Sequence, residues 1–384
     1  MKSVAEIARM AVPKLERESH KRGYLARELV QCTLPHSKPL EPIDPNNPGK
    51  PRKELTEYER KDGNLTVTIT ANSKIGLPYG TIPRLLMLWV TSEAMRTQSR
   101  KLRLGSKDND TLNNFLREVG LNPRTGNGKR GDAKRLREQM VRLFRARISF
   151  DYDQQAKPKN ADAWLDMGIA PKGFLWWDFQ QPDQPLLDGF ESWIELDENF
   201  YQAITANAVP VNLTMAGNLK RSPLALDLFV WATYRLYRMR DGEQITVSIL
   251  DLHRQFGSEY TRQRDFRAKL THALESLSTV WSEELGRDAP ISITKRGLRL
   301  TGIPHRELPV QPERNSGLLS RRDPTDPFSI SSSELMRIAD YAQGWDVRAL
   351  RREWQAWCKA NGTTPDNPVA HFTAFVKTHK NKNG

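Results

Sequence analysis

Two proline-rich segments constrain this sequence most, because each interrupts regular structure and separates regions that must fold around cores of their own. Residues 35–51 contain six prolines and residues 304–327 contain five, and neither segment has the periodicity of a helix or a strand. Such sequence favours extended, exposed chain. We therefore predict an N-terminal helical arm (1–34), a proline-rich linker (35–60), two central domains (61–200 and 201–303), a second linker (304–328) and a small C-terminal helical domain (329–384).

Both ends of the chain are predicted to be helical. Residues 2–30 are charged and amphipathic, with an interruption at Pro13. Near the other end, residues 331–334 have the pattern of a capping box. A further helix is expected to begin at Asp346 and to stop at Gly362. Its apolar face consists of Val347, Leu350, Trp354 and Trp357.

The central region repeats one order of elements in its two halves. Periodicity predicts three helices followed by a strand pair in each half. The helices are expected at 81–96, 110–120 and 132–147, then at 222–239, 250–257 and 262–277; the strands are expected at 174–179 and 192–196, then at 244–249 and within 291–303. This is the order of a winged helix, whose third helix enters the major groove while the hairpin contacts the DNA backbone. We therefore predict an α+β fold with two tandem winged-helix domains.

The third helix of each half has one apolar and one basic face on a helical wheel. In the first half, the apolar face is Leu136, Met140, Leu143 and Phe144, and the basic face is Lys134, Arg135, Arg142 and Arg145. In the second half, the apolar face is Phe266, Leu270, Ala273, Leu274 and Leu277, and Arg264, Arg267, Thr271 and His272 point away from it. One such face could equally be a solvated surface. Its repetition at equivalent positions favours DNA binding.

The candidate DNA contacts are the donor side chains of these two helices, the loop before the first and the hairpin after the second. They are Lys129, Arg130, Lys134, Arg135, Arg142, Arg145, Arg262, Gln263, Arg264, Arg267, Lys295 and Arg296. The first turns of a recognition helix reach base edges, so we expect the residues at 130–135 and 262–267 to read sequence. Lys295 and Arg296, at a hairpin tip, are expected to bind phosphates. Arg142 and Arg145 lie too far along their helix to reach deep into the groove.

The charge balance points to an acidic partner. The chain has 59 Lys and Arg against 46 Asp and Glu, which gives a net charge of +13. The longest apolar run, residues 85–90, is far shorter than the roughly 20 residues that a membrane-spanning helix needs. The N-terminus has no apolar stretch of signal-peptide length, and two cysteines provide no disulfide framework. We expect a cytoplasmic bacterial protein with no membrane partner.

Catalytic and cofactor motifs are not evident in the sequence. Residues 126–129, Gly-Asn-Gly-Lys, lack the Ser or Thr and the preceding strand of a nucleotide-binding loop. The seven histidines include no H-x-H and no H-E-x-x-H pattern, so no metal site is expected. The tryptophans are interpreted as core residues, including Trp89, Trp231, Trp354 and Trp357 on helical faces. We predict no cofactor and no enzymatic activity.

Three segments resemble the plasmid-encoded RepA-type replication initiators. They are "GLPYGTIPRLLMLWVTSEAMR" (76–96), "LRLGSKDNDTLNNFLREVGL" (102–121) and "RLREQMVRLFRARISF" (135–150), and a weaker similarity continues to residue 303. The resemblance implies binding of double-stranded DNA at repeated origin sites, local duplex opening and recruitment of the host initiator and helicase in theta replication. It implies no catalytic residues. A homodimer is a further possibility.

Two other function classes stay open at the level of sequence. A transcriptional repressor or plasmid-partition regulator would use the same recognition helices without opening DNA. A nucleic-acid enzyme, such as a relaxase or primase, would form a covalent phosphotyrosine adduct or cleave DNA with a metal ion.

Overall fold

The computed structural model describes residues 22–31, 33–62, 65–105, 111–121, 132–152, 164–175, 192–206, 208–257, 260, 262–304, 307–310, 328, 330, 338 and 347–383. The chain forms two compact units. The first comprises residues 1–62, 66–150 and 165–311, and the second comprises residues 63–65, 151–164 and 312–384. Helices and strands both recur along the described ranges, which confirms the predicted α+β class. Both predicted central domains fall mainly within the first unit, so a boundary at residue 200 stays a prediction.

The N-terminal part corrects the prediction of a helix through residue 30. Its elements are β1 (Arg22–Ala26), α1 (Arg27–Gln31), β2 (Glu57–Asp62) and β3 (Leu65–Thr70). Strand β1 pairs antiparallel with a strand at residues 208–212, in register from Arg22 opposite Asn212 to Ala26 opposite Ala208. A five-residue segment is too short for local periodicity to decide its conformation, so the available strand edge decides it. Residues 1–21 lie outside the described part of the chain.

The proline-rich segment is exposed in its middle but tied down at both ends. Residues 41–53 are mostly exposed, as predicted for a linker. Thr33 and Leu34, just before it, are buried, and Leu40 forms an isolated antiparallel bridge with Glu54. The predicted linker ends too late, because residues 57–60 belong to β2. Every residue of Glu57–Asp62 except Tyr58 is charged, which suits an edge strand.

The first half of the central region contains the predicted helices. Its elements are α2 (Thr81–Thr97), β4 (Lys101–Gly105), α3 (Thr111–Glu118), α4 (Asp132–Phe144), β5 (Arg147–Tyr152), β6 (Trp164–Gly168), β7 (Lys172–Phe174) and β8 (Ser192–Glu195). Helix α2 is buried almost all round, including Trp89. The predicted strand at 174–179 is described only to residue 175, and Phe174 ends β7.

The second half has the order of the first from residue 223 onward, except that no strands corresponding to β5 and β6 follow its third helix within the described residues. After α5 (Glu198–Ala206), β9 (Ala208–Asn212) and α6 (Leu213–Asn218) come α7 (Pro223–Arg238), β10 (Gln244–Ser248), α8 (Ile249–Phe256), α9 (Gln263–Leu285), β11 (Ile291–Ile293) and β12 (Gly297–Thr301). Asn212 and Ser222 cap α6 and α7 by accepting hydrogen bonds from the backbone N–H groups of Met215 and Ala225. Helix α9 runs eight residues beyond its predicted end because Val280 and Trp281 continue its buried face.

Two three-stranded sheets share one topology. In the first half the order is β4-β8-β7, and in the second it is β10-β12-β11. All four pairings are antiparallel, and in each sheet the last strand in chain order lies between the other two. A separate four-stranded sheet has the order β2-β3-β5-β6. The repeated order of elements is therefore matched by a repeated pattern of strand pairing.

The second unit is described chiefly through α10 (Val347–Ala360) and α11 (Pro368–Asn383). Its core consists of Ile330, Ile338, Leu350, Trp354, Cys358, Phe372 and Val376. Helix α10 ends two residues before Gly362, close to its predicted stop. Trp357 was predicted to be core but is 46% exposed, because it lies at the rim of the buried face and contacts His371 and Phe375. The predicted capping box at 331–334 lies outside the described residues.

Candidate nucleic-acid interface

The N-terminal end of α9 presents three of the predicted donors to solvent. Arg262, Gln263 and Arg264 are all exposed, and the Arg264 side chain is 85% accessible while its Nε lies 3.4 Å from Asp265. The buried face of α9 begins immediately afterwards with Phe266, as the helical wheel predicted. The first-turn N–H groups of a helix lack acceptors within the helix, and this end of the helix dipole attracts anions. The helix therefore offers both charged side chains and backbone donors at the same end.

Contacts of His253 and Tyr260 help to fix the position of the N-terminal end of α9. His253 Nε2 donates a hydrogen bond to the Tyr260 carbonyl oxygen at 2.6 Å. The rings of His253 and Tyr260 both contact the buried Phe266 ring, with centroids 5.1 and 5.8 Å away. These contacts hold the chain against the first turn of α9. Arg262, Gln263 and Arg264 thus project from a fixed helix end.

The hairpin between β11 and β12 presents Lys295 and Arg296 at its tip. The Thr294 N–H donates to the Gly297 carbonyl at 2.7 Å, and the Gly297 N–H donates to Thr294 Oγ1 at 3.2 Å. This closes a tight turn in which the two basic side chains are exposed. Gly297 has φ +154°, and a Cβ there would lie 2.0 Å from the Val247 carbonyl oxygen. Only glycine permits this approach of β12 to β10.

Arg267 joins the helix to the hairpin. Its Nη2 donates a hydrogen bond to the Thr294 carbonyl oxygen at 3.0 Å, and its side chain is only partly exposed. Arg267 was predicted to read bases, but its guanidinium group is engaged with the hairpin backbone. The contact brings the basic turn at Lys295 and Arg296 next to the N-terminal half of α9. The Arg267 side chain therefore links the N-terminal half of α9 to the hairpin that carries Lys295 and Arg296.

The outer face of α9 adds residues that the sequence prediction of donors left out. Ala268 and His272 are exposed and follow Arg264 at intervals of four residues, which places them on one stripe. The His272 ring nitrogen Nδ1 lies 3.5 Å from Glu275 Oε2. The helical wheel placed His272 on this outer face but did not single out Ala268.

The predicted apolar face of α4 is confirmed, but one residue of its predicted basic face, Arg142, is buried. Leu136, Met140, Leu143 and Phe144 are all buried. Lys134 and Arg135 are exposed, as predicted. Arg145 is exposed too, but it follows α4 instead of lying on it, because the helix ends at Phe144 and β5 begins at Arg147. Lys129 and Arg130 lie outside the described residues.

Arg142 is the clear correction within α4. It was predicted to face solvent, yet it is 7% exposed. Its Nη1 pairs with Glu54 Oε1 and donates to the Leu77 carbonyl at 3.1 Å, while its Nε donates to Glu138 Oε1 at 3.0 Å. Burial by itself would lower the pKa of Arg142, but the hydrogen bond and charge of Glu54 raise it above its ordinary value. Arg142 is a buried structural cation rather than a surface donor.

Besides Arg142, Glu54 pairs with Lys38, which belongs to the proline-rich segment. Lys38 Nζ lies 2.9 Å from Glu54 Oε2. Burial would raise the pKa of Glu54, but the hydrogen bonds from Arg142 and Lys38 lower it below its usual range. The Tyr79 N–H donates to Gln139 Oε1 at 2.9 Å beside this group. The proline-rich segment and the loop before α2 are thereby fastened to the C-terminal half of α4.

Among the described residues, no group of three or more His, Cys, Asp or Glu side chains is arranged to hold a metal ion. Within the same ranges no helix has both the length and the apolar character needed to cross a bilayer.

Residues 77–250 match the family model of the plasmid encoded RepA protein. The resemblance to RepA-type proteins is confirmed over this segment. The RepA match runs from the loop before α2 through β10 and into α8, so α9 and its hairpin lie beyond it. Among curated proteins, none matches the chain.

Two solved structures of RctB are among those similar to this chain. The crystal structure of selenomethionine derivatives of RctB domains 2 and 3 has 12% sequence identity and a TM-score of 0.41, and it covers 68% of this chain and 98% of that one. A second crystal structure of RctB domains 2 and 3 has 10% identity and a TM-score of 0.39, covering 73% and 98%.

Proposed function

We propose that this chain is a plasmid replication initiator that binds double-stranded DNA at repeated origin sites, opens the duplex locally and recruits host initiator and helicase proteins. The RepA match over residues 77–250 supports the role. The observation that carries DNA binding is the hydrogen bond from Arg267 to Thr294, at 3.0 Å. It joins a basic helix end to a basic hairpin tip, which is the arrangement that a helix and wing need to contact one duplex.

We further propose that each central half is a winged helix. Both halves contain a helix, a strand, two helices and a later strand pair in that order, although β5 and β6 precede the pair in the first half. This order supports the assignment, together with the two sheets in which the last strand is central. In this assignment α4 and α9 are the recognition helices. The strand pairs β7–β8 and β11–β12 are the wings.

The proposal gives the basic residues different roles. In the second half, Arg262, Gln263 and Arg264 reach base edges, while Lys295 and Arg296 bind phosphates. In the first half, Arg130, Lys134 and Arg135 take the reading role, and Lys129 adds a further contact. Arg145 contacts the backbone, and Arg267 orients the wing.

The test begins with the full chain and a pool of random-sequence duplexes, from which bound fragments are sequenced. Binding to the selected site is then titrated at several salt concentrations. Two recognition helices and a wing could neutralise about 6–10 phosphates, so log K should fall against log salt with a slope of about −5 to −9. A slope near −2 would mean that these basic faces are solvated surface.

Duplex opening is measured on the selected site by permanganate reactivity of thymines. An initiator should make thymines beside the site reactive. Site-specific binding without reactive thymines would instead support a transcriptional repressor or partition regulator. A covalent phosphotyrosine adduct or metal-dependent nicking would contradict the proposal and indicate a relaxase-type enzyme.

A further inference from the structure

A groove runs along the outer face of α4, facing the turn that follows β3. Its cavity volume is about 630 Å³. The turn contributes Lys74 and Ile75, and α4 contributes Lys134, Arg137 and Val141. Lys74 was not among the candidate DNA contacts predicted from the sequence.

The turn that carries Lys74 has a defined geometry. The Lys74 N–H donates to Asn72 Oδ1 at 2.9 Å, and the Ile75 and Gly76 N–H groups both donate to the Asn72 carbonyl, also at 2.9 Å. A side-chain acceptor two residues before the donor is the mark of an Asx turn. The exposed Lys74 side chain therefore projects from a closed turn rather than from a loose loop.

Arg142 fastens this turn to α4. Its guanidinium group donates to the Leu77 carbonyl at 3.1 Å and pairs with Glu54. Gly76 has φ +82°, and a Cβ there would lie 2.2 Å from Arg142 Nη1 and 2.1 Å from Glu54 Oε1. Glycine is thus required where the turn meets the buried ion pair. The distance between Lys74 and the helix is set by this contact.

The lining of the groove has the chemistry of a DNA backbone site. Four cations, Lys74, Lys134, Arg137 and Arg142, face one carboxylate, Glu138. The Arg142 charge is largely compensated by Glu54 and Glu138, so the exposed Lys74 and Lys134 provide charge for a ligand. Ile75 and Val141 add apolar surface between them, which suits the deoxyribose that separates successive phosphates.

We propose that this groove holds a segment of DNA backbone beside α4, with Lys74 on a phosphate and Ile75 and Val141 against the sugar. This inference rests on the proposed function, because it takes α4 to lie on DNA. It gives Arg142 the role of a positioning residue, which holds the Lys74 turn at the helix. The occupant is a duplex backbone because the groove lies along the helix expected to enter the major groove.

The experiment compares the full-length chain with Lys74→Ala and Lys50→Ala on a selected duplex and on a scrambled one, at several salt concentrations. Loss of one phosphate contact should lower the salt slope by about one and weaken binding about eightfold at 0.1 M salt, on both duplexes. Lys50, in the exposed proline-rich segment, is the matched control, and its replacement should leave the slope unchanged. Phosphate-ethylation interference should disappear at one backbone position with Lys74→Ala and remain elsewhere.

The outcomes separate the two proposals. A Lys74→Ala slope and interference pattern equal to those of the unaltered chain would overturn the groove assignment, even if Arg264→Ala abolishes site-specific binding and so upholds the proposed function. Failure of the unaltered chain to bind any duplex would overturn both. Because Lys74 is exposed, an unchanged urea midpoint should accompany the loss of affinity; a lowered midpoint that accounts for the loss would also overturn the assignment.

Discussion

The guanidinium group of Arg84 grips the carboxylate of Asp227 with two hydrogen bonds, from Nε to Oδ1 at 2.7 Å and from Nη2 to Oδ2 at 2.8 Å. Both residues are buried, and they belong to α2 and α7, the equivalent first helices of the two central halves. Arg84 also donates to the carbonyl groups of Leu34 and Pro35, and His36 Nε2 donates to Asp227. The junction therefore joins both halves to the start of the proline-rich segment.

Replacing Arg84 with Met should destabilise the fold by about 3–5 kcal/mol, because it leaves the Asp227 carboxylate buried without its main partner. The double variant Arg84→Met with Asp227→Leu should recover part of this loss. Urea unfolding monitored by circular dichroism measures both. The control is Arg254→Met on α8, where Arg254 and Asp251 are both exposed and the expected cost is below about 1 kcal/mol. Equal effects of Arg84→Met and Arg254→Met would contradict the assignment.

Asp227 should also make the fold sensitive to acid. Burial would raise its pKa, but Arg84 and His36 hold that pKa below its ordinary value. The folded state therefore favours the carboxylate, so the stabilisation is complete above the unfolded pKa of about 3.9 and is lost as the pH falls through the lower folded pKa. Unfolding free energy measured between pH 7 and pH 3 should fall less steeply in Asp227→Asn than in the unaltered chain. An identical pH profile would show that Asp227 does not contribute.

Arg264→Ala should separate base recognition from backbone attraction. If Arg264 pairs with a guanine, its loss costs about 1–3 kcal/mol on the selected duplex and much less on a scrambled one. Titration of both duplexes at one salt concentration measures this difference. An equal loss on both would mean that α9 lies along the backbone. Arg135→Ala provides the same test for α4.

Arg296→Ala should behave in the opposite way. Its position at the hairpin tip predicts a phosphate contact, so binding should weaken by similar factors on selected and scrambled duplexes. The salt slope should fall by about one. Titrations at four or more salt concentrations give the slope. A loss confined to the selected duplex would place Arg296 on a base instead.

Gly297→Ala tests whether the shape of the wing matters as much as its charge. The added Cβ would lie 2.0 Å from the Val247 carbonyl oxygen, so β12 must shift away from β10. Affinity should fall on both duplexes although no charge is lost. Gly242→Ala is the control, since Gly242 also has a positive φ, +74°, but its Cβ would meet no atom within 4 Å. Similar effects of the two replacements on affinity would show that hairpin geometry is not needed for binding.

Sequence periodicity correctly predicted the buried faces of helices, which depend on residues close together in the chain. The apolar faces of α4 and α9 are correct because residues three and four apart on a helix share a surface whatever lies opposite. Arg142 was misplaced because its partner Glu54 is 88 residues away, and a helical wheel contains no information about such a partner. Strand β1 was wrongly predicted to be helical for the same reason, because the strand with which it pairs, β9, is distant in the sequence.

At the candidate site, the sequence indicated the donors but not their arrangement. Lys295 and Arg296 could be placed at a hairpin tip from the following glycine. The engagement of Arg267 with Thr294 depends on how the hairpin packs against α9, which no short-range pattern encodes. Trp357 shows the same limit in the C-terminal unit, because the edge of an apolar face is set by the size of the neighbouring helix.

The pairing of β1 with β9 constrains the order in which the nascent chain can fold. Residues 22–26 leave the ribosome early, yet their partner residues 208–212 are made only after most of the first half has been translated. At about 5–20 residues per second, the nascent N-terminal segment waits about 10–40 seconds for its strand edge. During that interval the first half must begin to fold without β1. The two-stranded sheet can therefore be completed only after residue 212 has been made, which makes this sheet a late step in folding.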